Sequence, residues 1–93
     1  MKYGYANNKE QLRNRLKRVE GQVRGVARMV EQDAYCIDIL TQISAVEAAM
    51  DKVALELLRE HTKHCLVNSA IGPKDRAEKV EEVIGAVGRL LAK

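Results

Sequence analysis

Phenylalanine and tryptophan are both absent from this 93-residue chain, and its only aromatics are three tyrosines. A core without the large rings has to be built from Leu, Ile, Val, Ala and Met. Such a core suits helix packed on helix better than a β-sandwich. Proline occurs once, at Pro73, and no stretch alternates apolar and polar residues as a half-buried strand would. Long apolar runs are missing too. The best candidate, VIGAVGRLLA, is short and is broken by Arg89, so no membrane span and no signal-peptide core is expected, and the reading is a cytoplasmic protein. Cysteine is scarce, with Cys36 and Cys65 alone. In a cytosolic chain two cysteines read as thiols rather than as a structural disulfide. There is no paired-acid constellation, no glycine-rich phosphate loop and no nucleophile–base–orienter set, so an enzyme is not expected. Nor is there a helix-turn-helix or zinc-finger motif.

What remains is helical. Leu12, Leu16, Val19, Val23, Val26 and Val30 recur at alternating steps of four and three, which predicts a first helix over residues 9–31 with a heptad seam. Gly21 and Gly25 share one face of it. They either allow another backbone to approach closely or simply weaken the helix. "EQDAY" breaks the pattern and predicts a short turn. From Cys36 to Ser69 there is neither glycine nor proline, so one long second helix is expected. "IGPKD" ends it. Gly72 and Pro73 act as stop and restart, and Asp75 with Glu78 resembles a capping box. A third helix is expected from about residue 74 to 91, with Val80, Val83, Ile84, Val87, Leu90 and Leu91 on one side. The expectation is a single all-α domain over residues 1–93, small enough that self-association is a usual remedy for a thin core.

Net charge is +3, and it is unevenly spread. Before residue 29 the chain carries Lys2, Lys9, Arg13, Arg15, Lys17, Arg18, Arg24 and Arg28 against only Glu10 and Glu20. On a helical wheel Lys9, Arg13, Lys17, Arg24 and Arg28 fall within about 100° of one another, beside the apolar seam. Arg18 extends the charge around the polar side and Arg15 lies on the other flank. A charge run is often no more than a solvated face. Concentrated in this way it predicts contact with the phosphates of a nucleic acid.

"EHTKHCL", residues 60–66, places two histidines beside a cysteine. At about 100° per residue, His61 and Cys65 lie within roughly 20° of the line through Cys36, whereas His64 falls near −80°. Cys36 and His61 are 25 residues apart, roughly 37 Å along a straight helix, so one chain cannot close a site with them. Two second helices lying antiparallel and crossing near Met50 would bring Cys36 of one chain to His61 and Cys65 of the other, twice per dimer. The stripe between them, Leu40, Ile43, Met50, Ala54 and Leu57, is apolar as a helix seam requires, with Glu47 the exception. Two thiolates and one imidazole suit Cu(I), which accepts soft trigonal ligation. Zinc normally takes a fourth ligand. The plain alternative is that both cysteines are small buried apolar residues and His61 a surface residue.

"RLKRVEGQVRG" (15–25), "YCIDILTQISAV" (35–46) and "HTKHC" (61–65) resemble the copper-sensing members of the CsoR/RcnR repressor family, over nearly the whole chain. The resemblance implies a three-helix chain forming an antiparallel four-helix-bundle homodimer that pairs into a homotetramer. It implies operator DNA bound without metal and released on binding Cu(I), which turns on copper efflux genes. Cys36, His61 and Cys65 would be the ligands, with Tyr35 and Glu81 linking the site to the rest of the fold. Arg15 and Lys52 match basic positions used for DNA, although the family often has Arg at the latter. Nickel and cobalt sensors of the family have an N-terminal histidine and His at position 65. Formaldehyde sensors lack the second cysteine, and persulfide sensors lack the histidine. A thiol or aldehyde sensor of the same family, or a copper carrier, is the alternative. A carrier would not need the basic first helix.

Overall fold

The computed structural model describes residues 8–64 and 72–92. Three helices make up this part: α1 (Lys9–Glu31), α2 (Cys36–Thr62) and α3 (Pro73–Leu91). No strand occurs among the described residues. The chain divides into two compact units, one of Asn8–Glu56 and one containing the residues from Leu57 onward.

In the first unit α1 and α2 form a hairpin. The heptad seam of α1 splits into two ranks. Leu12 and Val19 are buried and Val26 is half-buried, while Leu16, Val23 and Val30, offset by half a heptad, stay exposed. On α2 the buried side is Val53, with Ile39, Val46 and Ala49 half-buried. The helices run antiparallel, because the start of α1 reaches the far part of α2: Asn8 Nδ2 donates to Glu56 Oε1 over 3.3 Å. Asn8 stands at the N-cap position and makes no side-chain capping bond to its own helix. A Cβ added at Gly21 or Gly25 would meet only the far ends of Arg24 and Arg28, at 3.9 and 3.8 Å. Among the described residues these glycines therefore admit no backbone neighbour, and they weaken α1.

The turn between α1 and α2 is closed by backbone bonds. The amide of Ala34 donates to Met29 O at 2.9 Å and that of Asp33 to Val30 O at 3.1 Å. This is the paired pattern that ends a helix when the residue beyond its cap turns left-handed. That residue is Asp33, at φ 56°. Glycine normally takes this position, and aspartate is among the few side chains that tolerate it.

Helix α2 restarts at once, with Ile39 N donating to Tyr35 O at 3.1 Å. Its two early hydroxyls turn back on their own helix: Thr41 Oγ1 donates to Ile37 O at 2.9 Å and Ser44 Oγ to Leu40 O at 3.2 Å. The α-helical span is Cys36–Thr62, and the expected continuation to Ser69 lies outside the described residues from position 65 on. Lys63 and His64 continue in a wider, π-type turn, and residues 65–71, Cys65 among them, lie outside the described residues. In the second unit α3 begins at Pro73, one residue earlier than expected. Gly72 is its N-cap, in an extended conformation and without a side-chain capping bond. The Asp75–Glu78 box therefore does not form. Proline fits the first helical position, having no N–H to satisfy and a suitable φ. The early start draws Asp75 into the first turn, where it faces the positive helix end. Of the expected apolar side, Val83, Val87 and Leu90 are half-buried, whereas Val80, Ile84 and Leu91 are exposed.

Relief of the left-handed aspartate is measurable. Asp33→Gly should raise stability by about 0.5–1 kcal/mol, and Asp33→Val should lower it by at least as much. Chemical denaturation midpoints check both.

Candidate metal ligands and basic groove

Cys36 is the first residue of α2 and its thiol is exposed. It is therefore not a small core residue, and its sulfur is available to a ligand. His61 lies in the last turn of the same helix, half-buried. Cys65, the third expected ligand, falls outside the described residues. Among the described residues no group of three or more His, Cys, Asp or Glu could hold a metal ion, in keeping with Cys36 and His61 lying near opposite ends of α2.

A carboxylate does reach His61. Glu82 Oε1 on α3 lies 3.5 Å from His61 Nε2, and Glu82 Oε2 lies 3.7 Å from Lys79 Nζ. Glu81, which the family resemblance implies as a link to the site, is the neighbour of Glu82 in sequence. The half-buried residues of α3 are Lys79, Val83, Ala86, Val87 and Leu90. Glu82 sits at the edge of that face and Glu81 roughly 160° from Lys79, and both are exposed. A carboxylate beside an imidazole nitrogen can orient the ring. Tyr35 stands just before α2, largely exposed.

The basic residues of α1 are displayed. Arg13, Lys17, Arg18, Arg24 and Arg28 are exposed, as is Lys52 on α2, and Arg15 is half-buried. Three of them meet in one place. Arg15 and Arg18, with Gln22, form one wall of a groove between α1 and α2, and Lys52 contributes from the other side. Its floor is Ala45, Ala48 and Ala49. Gln22 and the alanine floor were not anticipated from sequence. The signal for the floor was the spacing of three alanines at steps of three and one, on the turn before Lys52.

A family model described as metal-sensitive transcriptional repressor matches residues 8–89. The chain belongs to that family. Among its relatives, the copper-sensing transcriptional repressor RicR of Mycobacterium tuberculosis is 51% identical over 90 residues, covering 96% of this chain and 94% of that protein. The copper-sensing transcriptional repressor CsoR of Bacillus subtilis is 53% identical over 79 residues, covering 85% and 77%. In structure, the copper-sensing repressor CsoR with Cu(I) from Geobacillus thermodenitrificans matches with a TM-score of 0.78 and 43% identity, covering 90% of this chain and 86% of that one. The fold is thus that of an all-helical metal-sensitive repressor, and no described helix is long and apolar enough to cross a membrane.

The His61–Glu82 contact gives a direct expectation. In the metal-free protein at alkaline pH the neutral His61 ring should favour the Nε2–H tautomer. Glu82→Ala should reduce that preference and Glu81→Ala should leave it unchanged, as read from ring nitrogen shifts by NMR.

Proposed function

We propose that this protein is a cytoplasmic copper-sensing repressor, a single metal-sensing and DNA-binding domain that represses copper efflux or resistance genes until Cu(I) is bound. The observation that carries the reading is the donor set on α2, an exposed thiol at its first residue and an imidazole in its last turn. Kinship with two proteins named copper-sensing repressors supports it. Cys36 of one chain joins His61 and Cys65 of a second, so the working unit is a homodimer, with pairing into a homotetramer as the higher assembly. Exposed Leu40, Ile43, Met50 and Leu57 along α2 give the antiparallel partner an apolar surface to cover.

When bound, Cu(I) supplies soft trigonal ligation that ties the two chains together through sulfur and nitrogen. The rest is done by the protein. Glu82 lies beside the His61 ring, so a ligand that fixes the ring would also constrain its relation to α3. Glu81, with Tyr35 at the opposite end of α2 beside Cys36, keeps the linking role that the family resemblance implies, and Glu82, whose carboxylate lies beside His61, joins them. Two thiol protons leave as one Cu(I) enters, so the net charge changes little and DNA is not expelled by simple repulsion. The metal instead favours a helix packing that misplaces the basic surface of Arg13, Arg15, Lys17, Arg18, Arg24, Arg28 and Lys52. Coupling of this kind is reciprocal: operator DNA weakens copper binding by the factor by which copper weakens DNA binding.

Titration of operator duplex with reduced protein, with and without Cu(I), tests the reading. Copper-loaded protein should bind at least tenfold more weakly, a coupling of about 1.4 kcal/mol or more. Equal affinities would end the repressor model. Glu82→Ala should keep tight Cu(I) binding but lose most of the release, and His61→Ala should impair regulation far more than His64→Ala.

The inter-chain geometry has its own check. Cys36→Ala and Cys65→Ala chains mixed into heterodimers should recover one tight Cu(I) site per dimer, with X-ray absorption showing two sulfurs and one nitrogen. Mixtures that form heterodimers yet recover no tight site would exclude the antiparallel arrangement.

A further inference from the structure

We infer that the hydrogen bond from Asn8 to Glu56 is a clasp between the basic helix and the ligand-bearing helix, closed when DNA is held and open when Cu(I) is bound. Asn8 is then a positioning residue. It touches neither DNA nor metal, and it sets where α1 lies along α2. The inference rests on the copper-sensing reading above and names one contact through which metal and DNA oppose each other.

Four observations support the assignment. The first is place. Asn8 Nδ2 reaches Glu56 Oε1 across 48 residues of sequence. Asn8 directly precedes Lys9, and the exposed Arg13 and Lys17 follow along α1. The boundary between the two compact units falls directly after Glu56. His61 comes five residues later on the same helix, roughly 7.5 Å along its axis. The second is the use made of Asn8. Asparagine at an N-cap position ordinarily accepts from the N–H groups of its own helix, with its backbone extended. Here the backbone stands at φ −110° and ψ 15° and no capping bond forms. A second arrangement, with Asn8 capping α1, is therefore open to the same residue. The third is the rest of the hairpin. Leu12 and Val53, about one turn inward from the clasp, are buried. Apolar packing has no direction, and packed helices slide past one another in small shear movements. Backbone bonds close the hairpin at its turn, and the clasp supplies a directional bond at the start of α1. The fourth is strength. Both residues are half-buried, and Glu56 forms no salt bridge among the described residues. A single hydrogen bond of this kind biases an equilibrium without locking it.

The test compares the wild-type protein with Asn8→Ser. Serine is as good an N-cap residue and adds no charge, but its side chain is too short to reach Glu56. Cu(I) affinity is measured without DNA, and operator affinity without metal, with circular dichroism verifying helicity. Opening the clasp should tighten copper binding, weaken DNA binding, or do both. The copper gain multiplied by the DNA loss should come to about threefold to tenfold per chain, the range of one hydrogen bond's net contribution. A merely structural role would weaken both affinities together. That outcome overturns the inference, and so does no change in either. In a Glu56→Leu background Asn8→Ser should add nothing, because the partner is already gone. An undiminished effect there means that the bond is not its cause. If Asn8→Ser fails to fold, the wild-type protein answers alone. Its Asn8 side-chain N–H resonances should move upfield when Cu(I) is added, as those of a released donor do, and unmoved resonances sink the clasp. Wild-type protein whose operator affinity is the same with and without Cu(I) would instead refute the copper-sensing reading itself.

Discussion

Leu12, Val19 and Val53 are the most deeply buried apolar side chains among the described residues, and the thinness of that core governs much of what surrounds it. Two helices cannot enclose a heptad seam. Each hides one rank of apolar residues against the other and leaves the next rank facing out. On α1 the outward rank is Leu16, Val23 and Val30, spaced by seven, and on α2 it includes Leu40, Ile43 and Met50. Association is a common further source of stability for a small domain with this much apolar exposure. The same rank that needs covering runs between the expected ligands at the two ends of α2. Assembly and metal site would therefore share one surface.

Much of this was legible beforehand. The limits of α1 followed from periodicity and from the break at "EQDAY", because an amphipathic pattern of this length is a strong signal and Asp33 is one of few residues able to end it left-handed. That the seam would be half covered was not legible. Periodicity reports which residues prefer to be buried, without saying how many partners are present to bury them. The start of α3 was missed by one residue and its cap was misassigned. The Asp75–Glu78 spacing is a real capping pattern, and it was overruled by Pro73, whose ring favours the first helical position.

The candidate site divides along the same line. The residue types on α2 pointed to soft-metal chemistry, and their placement on one helix face followed from simple geometry. The carboxylate facing His61 could not be chosen that way, since Glu81 and Glu82 are equivalent in composition and differ only by the rotation of α3. Lys79, one turn before Glu82, was the available clue. The groove lay deeper still. Arg15 and Lys52 could be nominated from sequence, but the Ala45, Ala48 and Ala49 floor reads as ordinary helix-forming composition until α1 is laid beside it.

The turn at Asp33 has a consequence for the order of events. Its hydrogen bonds all close within seven residues, from Arg28 to Ala34, and the hairpin it sets up joins helices adjacent in sequence. Contacts of such short span form quickly, ahead of those that need distant segments or a second molecule. A newly made chain can thus complete its α1–α2 hairpin alone, with Cys36 already mounted three residues past the turn. Encounter with a second copy comes afterwards, at a rate set by concentration. If the proposed two-chain site is correct, it is the last part of the molecule to mature, and a cell's supply of working sensor would depend on dimerisation as well as on synthesis.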